Sequence, residues 1–244
     1  MRVLVDLGCF PTGRHYPGIA HLLRVAALGL AEGFLGDHAV VDLPIVAIDT
    51  ETTGTDHSTD RVVEVACVRW ENGEVTLRKS WLVNPGRPIP KEASDVHGIL
   101  DEHVAEAPSF GQILPELLEA LTGAIPLAYN ADFDRKQLLA ELGRLSHSAS
   151  PPPAFQKNAE WIDPLVWARE IQKLEKSRAL GEVAARLGIE LTQAHRATAD
   201  AEAALHVFVK FREDSRLPKT YGAFLQEQRR LNRAFEQERV RWRG

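Results

Sequence analysis

The sequence predicts an α/β fold: a mixed five-stranded sheet flanked by helices, with a helical extension at each end. Three observations predict it. Short β-branched runs separated by turn residues dominate the stretch from residue 45 to residue 83. Beyond residue 90 helical periods alternate with two more short apolar runs. The composition, 44% hydrophobic and 26% charged over 244 residues, is that of a globular chain able to bury a sizeable core.

The elements follow in order. Arg2–Asp6 reads as a short strand, and the Pro/Gly-rich 8–18 stretch as a loop. Ile19, Leu22, Leu23, Ala26, Leu30 and Phe34 recur at helical spacing, which predicts an amphipathic helix over 19–35 that serves packing or a partner. Ile45–Ile48 is apolar without a helical period and reads as a buried strand ending in Asp49. Arg61–Trp70 is a second strand. Asn72-Gly73 is a hairpin signal, and Glu74–Val83 returns antiparallel to the second strand. A short helix is expected before Val96–Ile99. Phe110–Leu121 reads as a helix capped by Ser109. Ile125–Tyr129 is the fourth strand, and the helix after it runs to about Leu145 with Leu138, Leu139 and Leu142 on its apolar side. The Ser/Pro stretch 146–153 is a loop. Trp161–Asp163 is the fifth strand, and Pro164 opens a helix at its tolerated first position. Helices over Ala179–Leu187 and Thr198–Arg212 complete the core. From Tyr221 onward, Phe224, Leu231, Phe235 and Trp242 form a narrow stripe on an arginine-rich helix. The expected units are an extension over 1–43, a central domain over 44–213 and a C-terminal helix over 214–244. Either extension offers a face for a protein partner.

A formal charge of −5, from 29 basic and 34 acidic residues, argues against a generally basic nucleic-acid coat. It leaves room for local patches and for bound cations that the count ignores. Cys9 and Cys67 are the only cysteines, too few for a disulfide framework or a zinc site, so a reducing cytoplasm is the expected setting. No run of about 18 apolar residues predicts a membrane span.

Chemistry concentrates where the first strand ends. On a strand, residues two apart share a face, so Asp49 and Glu51 present two carboxylates side by side. Clustered carboxylates repel one another and call for a hard cation such as Mg²⁺ or Mn²⁺. Alone, this D-x-E pattern also describes a strand running into a solvated turn. Its weight comes from Asp134, at a helix start after the fourth strand, and from His195 and Asp200 near the last core helix. Five residues of helix rise about 7.5 Å and turn roughly 500°, so His195 shares Asp200's site only from the loop before the helix.

Four segments, DTETTG (Asp49–Gly54), VHGI (Val96–Ile99), YNADFD (Tyr129–Asp134) and HRATAD (His195–Asp200), resemble the DEDDh family of 3′→5′ exonucleases, the family of bacterial proofreading subunits. The resemblance covers roughly Leu43 to Arg212 and implies a ribonuclease H-like fold. By position it implies that Asp49, Glu51, Asp134 and Asp200 hold two Mg²⁺ or Mn²⁺ ions and that His195 is the general base. It also implies a terminal-nucleotide pocket lined by His97 and Gly98; Thr50, Thr52, Thr53, Asn130 and Phe133 are further substrate-binding candidates, Thr52 and Thr53 through backbone donors. Asn130 and Phe133 serve there as structural supports as well. Tyr129 departs from the pattern, which usually has histidine before Asn130, and altered packing or substrate contact is expected. Two metals about 4 Å apart suit phosphodiester cleavage, and a neutral imidazole can accept the proton of water near pH 7. The expected substrate is a single-stranded 3′ end, DNA ahead of RNA. RNA trimming, an inactive nucleic-acid-binding scaffold and a different ribonuclease H-like nuclease are the rival readings.

Overall fold

The computed structural model describes residues 31, 33–145, 153–156, 159–191 and 196–241. Four strands form one sheet in the order β3-β2-β1-β4: β1 is Ile45–Thr52, β2 Val62–Glu71, β3 Glu74–Leu82 and β4 Ile125–Leu127. β2 lies antiparallel to both β1 and β3, whereas β4 runs parallel to β1. The Asn72-Gly73 turn takes φ of 53° and 90°, the positive pair that a two-residue hairpin needs. Among the described residues eight α-helices follow β3: α1 (Lys91–His97), α2 (Asp101–Val104), α3 (Phe110–Leu121), α4 (Ala131–Arg144), α5 (Pro164–Ile171), α6 (Leu180–Arg186), α7 (Ala197–Phe211) and α8 (Tyr221–Arg241).

β1 is central and buried on both faces, which is why its apolar run is continuous rather than alternating. Ile45 and Ala47 face one core, built from Ala66, Val68 and helices α5 to α8. Val46 and Ile48 face the other, built from Val65, Cys67, α3 and α4. Ala197, Ala201 and Ala204 of α7 are all buried, and their small side chains let this helix sit close on the sheet. Gln112 Oε1 accepts from the Ser109 N–H at 2.8 Å, which fixes the start of α3.

The expected fifth strand is not a strand. Among the described residues Ile162 makes an isolated parallel bridge to Leu127, and the sheet has four strands. The reason is local. Pro164 has no N–H to extend a ladder, and the Asp163 carboxylate turns back to accept from the Leu165 N–H at 2.9 Å, opening α5. The strand expected over Ile125–Tyr129 likewise stops at Leu127.

The predicted strand over Arg2–Asp6 and most of the helix over 19–35 lie outside the described residues, and the described part, residues 31 and 33–35, is not helical. Trp242 and most of the 146–153 stretch also lie outside them. Among the described residues no helix is long and apolar enough to cross a membrane.

Candidate active site

The row of β1 side chains that begins with Ile45 and Ala47 ends in Asp49 and Glu51, on the face covered by α7. Asp200 lies in the first turn of α7. These three half-buried acids converge there, each offering a carboxylate oxygen, all within 4.8 Å of one another. Asp134 approaches from the other side of β1. It is buried, in the first turn of α4, and its Oδ1 accepts from the Thr50 N–H at 3.0 Å and the Thr50 hydroxyl at 2.8 Å. It stands outside the cluster of three, yet close enough to Asp49 to perturb it electrostatically. His195 lies outside the described residues.

The crowding shows in the protonation of these groups. Burial, then the charges of Asp134, Glu51 and Asp200, hold Asp49 well above the usual carboxylate range. Burial and the charges of Asp200 and Glu64 push Glu51 up to about 7, partly offset by Arg196. Burial pushes Asp134 to about 7 as well, although both Thr50 hydrogen bonds oppose the shift. An all-oxygen donor set that resists holding its own negative charge fits a hard divalent cation.

The expected pocket residues differ in burial and in hydrogen-bond partners. Thr52 and Thr53 are buried. The Thr52 hydroxyl donates to the Gly54 carbonyl at 2.6 Å, and the Thr53 hydroxyl donates to Asp60 at 3.1 Å. Thr50 spends its N–H and hydroxyl on Asp134 rather than facing open space. His97 is buried at the end of α1, with Nδ1 accepting from the Ile99 N–H at 3.0 Å, and burial lowers its pKa. Gly98 follows at φ 72°, a left-handed position that glycine fills without strain. Asn130 is exposed, at φ 68°, and Phe133 is half-buried. Tyr129 donates its hydroxyl to the Arg178 carbonyl at 2.5 Å, so it packs the junction between β4 and α6.

Sequence reasoning missed Glu64. It is 1% exposed on β2, directly opposite Glu51 in the antiparallel register, and its Oε2 is buried without a hydrogen bond among the described residues. Its Oε1 lies 3.7 Å from Arg196, the residue before α7. Like charges directly opposite on a sheet repel, and the charge of Glu64 is one of those that raise the pKa of Glu51. The signal was present: an acid inside the apolar run Val62–Val68.

A mixed sheet whose central strand ends in acids, met by another acid from the last core helix, defines a ribonuclease H-like nuclease fold. The chain belongs to the family described as Exonuclease, whose model matches residues 46–208. It is 31% identical over 177 residues to the PolC-type DNA polymerase III of Thermotoga maritima, a match spanning 72% of this chain and 12% of that protein. A PolC-type DNA polymerase III of Staphylococcus aureus is 31% identical over 174 residues, again 12% of its length. The chain therefore spans about an eighth of the curated relatives it matches. Among solved structures it is similar in fold to exonuclease X in complex with 5′ overhanging duplex DNA, with TM-score 0.58, 23% identity and coverage of 74% of this chain and 99% of that one. It is similar also to the nuclease domain of 3′hExo, a DEDDh family member bound to rAMP, with TM-score 0.60, 18% identity and coverage of 73% and 96%.

Proposed function

We propose that the protein is a 3′→5′ exonuclease that removes nucleoside 5′-monophosphates one at a time from a nucleic-acid end, with DNA preferred to RNA. The observation that carries this reading is the convergence of Asp49, Glu51 and Asp200 in a chain of the Exonuclease family. Asp134 adds a fourth acid, and together the four would hold two divalent cations, Mg²⁺ or Mn²⁺. When bound, such ions supply charge stabilisation at the phosphoryl oxygens and lower the pKa of water.

The chain's own residues do the rest. The four carboxylates fix where positive charge sits relative to the end of β1. Their crowding, which holds Asp49, Glu51 and Asp134 above the ordinary carboxylate range, is relieved when divalent positive charge binds among them. His97 and Gly98, with Thr52 and Thr53, form the wall against which the terminal nucleotide rests. His195 takes a proton from the attacking water at an imidazole nitrogen. Attack at phosphorus breaks the bond to the 3′-oxygen, leaving a 3′-hydroxyl on the shortened strand and a 5′-phosphate on the released nucleotide.

The test compares 5′-labelled single-stranded DNA, duplex DNA and RNA, each with Mg²⁺ or Mn²⁺, against Asp49→Ala. We expect a single-nucleotide ladder on single-stranded DNA and a loss of at least ~100-fold in the variant. A stronger ladder on RNA moves the preference to RNA trimming. Internal cuts, or binding without cleavage, overturn the exonuclease reading.

A further inference from the structure

The family match ends at residue 208, twenty positions before a side chain that reaches back to the site's scaffold. Gln228 of α8 is 6% exposed and lies against the segment that bridges to β4. Its Nε2 donates to the Trp161 carbonyl at 2.9 Å, and its Oε1 accepts from the Asp163 N–H at 2.9 Å. In a sheet, a neighbouring strand satisfies such a pair of groups with one residue's N–H and C=O. On its opposite edge the same segment is paired with β4: the Ile162 N–H donates to Pro126 and the Ala128 N–H to Ile162. The Gln228 amide thus stands where a further strand's peptide group would be.

Asp163 turns this support toward the site. Its carboxylate accepts from the Asn130 N–H at 3.0 Å and the Ala131 N–H at 3.2 Å, as well as from Leu165. One side chain therefore holds the starts of α4 and α5 together. Three residues further into α4, Asp134 is tied to Thr50, the residue between Asp49 and Glu51. The route from Gln228 to the acid cluster runs through the Asp163 hydrogen bonds, one turn of α4, the Asp134–Thr50 hydrogen bonds and the chain of β1 on either side of Thr50.

We propose that Gln228 and Asp163 are positioning residues for the acid cluster: the C-terminal helix fixes where α4 begins, and so where Asp134 meets β1. The helix is then part of the catalytic unit and not an appendage to it. The cation and activity consequences rest on the exonuclease reading; the mechanical coupling does not.

The test uses the full chain. Gln228→Met keeps length and bulk and removes both hydrogen bonds. Leu231→Ala, three residues on in the same helix and 3% exposed in the core, weakens packing without touching the hydrogen-bonded route. Amide hydrogen exchange is followed at residues 130–134 and at Thr50. Mn²⁺ binding is followed by its paramagnetic resonance signal without nucleic acid, and kcat and KM are measured on single-stranded DNA. We expect Gln228→Met to speed exchange at Asn130, Ala131 and Thr50, weaken Mn²⁺ binding about 10-fold and lower kcat more than it raises KM. Leu231→Ala should lower the melting temperature at least as much and leave Mn²⁺ affinity in place. Should Gln228→Met fail to fold, Gln228→Asn, whose amide is too short to reach both backbone groups, replaces it with the same expected readings. Unchanged exchange at residues 130–134 in the glutamine variant, or an equal change in Leu231→Ala, overturns the proposal. A wild-type protein that neither cleaves nor binds Mn²⁺ removes the exonuclease reading, and the exchange contrast between the two variants then decides the coupling by itself.

Discussion

At the scale of single residues, the acid cluster stores electrostatic strain. Glu51 and Asp134 are pushed up to about 7 and Asp49 well above its ordinary value. In the metal-free protein the folded chain therefore keeps protons that the unfolded chain has already released. Where the native state binds more protons than the unfolded state, stability falls as pH rises. The window runs from the ordinary carboxylate range, about 4, up to about 7. The melting temperature of chelator-treated protein should drop between pH 5.5 and pH 8, and Asp49→Asn, which removes one repelling charge, should flatten that drop. Added Mn²⁺ should raise the melting temperature more at pH 8 than at pH 5.5, because binding displaces the retained protons. A metal-free profile that is level, or climbs, over this range contradicts the crowding. The acids were legible from sequence where the strand period and the D-x-E spacing put them on one face. Glu64 was passed over because a single acid within a continuously buried apolar strand forms no motif with its sequence neighbours. Its row, shared with Ala66 and Val68, is what turns it toward Glu51.

At the scale of elements, α4 shows why a helix's role is harder to read than its existence. The apolar positions Leu138, Leu139 and Leu142 announce the helix. The buried positions, however, are Ala131, Asp134, Gln137, Leu138 and Glu141, so much of the inward face is polar. Each of these polar groups meets a partner far off in sequence. Gln137 donates to the Gly54 carbonyl at 3.4 Å. Glu141 accepts from Arg61 at 2.7 Å and 2.9 Å, from the Val62 N–H at 3.2 Å and from Arg144 at 3.1 Å. Arg144 in turn donates to the carbonyls of His57 and Ser58. This network clamps the loop between β1 and β2, which carries Thr53, onto α4. In sequence, Glu141 is indistinguishable from a surface glutamate, because its burial is decided by Arg61, 80 residues away. Glu141→Ala should cost about 3 kcal/mol, the low end for breaking a buried pair, since the side chains of Arg61 and Arg144 stay 30% and 28% exposed and can find water. A urea midpoint that moves by less than the equivalent of ~1 kcal/mol would mean the clamp is incidental.

At the scale of the whole molecule, the two ends of the described chain are joined to each other and to the core. The Val40 N–H donates to Lys219 at 2.9 Å, the Tyr221 N–H to His38 at 2.8 Å and the Gly222 N–H to Gly36 at 2.9 Å. Tyr221, Phe224, Leu225 and Leu231 enter the same core as β1, with Phe224 stacked on Trp167 at 4.8 Å between ring centroids. No pattern within either terminal stretch names the other as its neighbour, which is why sequence periodicity separates them from the central domain. The contact between Gly36 and Gly222 puts this joining to a test whose sign is fixed in advance. A Cβ on Gly222 would stand 3.0 Å from the Gly36 Cα and 3.1 Å from its carbonyl oxygen, both backbone atoms. Within a helix, glycine to alanine ordinarily gains up to ~1 kcal/mol. Forcing a methyl into backbone costs about 1–3 kcal/mol, so the steric term wins and Gly222→Ala should destabilise. Gly143, in the last turn of α4, has nothing within 4 Å of its added Cβ. Gly143→Ala should therefore show the ordinary gain, stabilising by up to ~1 kcal/mol. Urea denaturation of the two variants should move their midpoints in opposite directions. If both move upward, the backbone at Gly36 does not press on residue 222 in solution, and the ends are held by the Val40–Lys219 and Tyr221–His38 hydrogen bonds and the aromatic core.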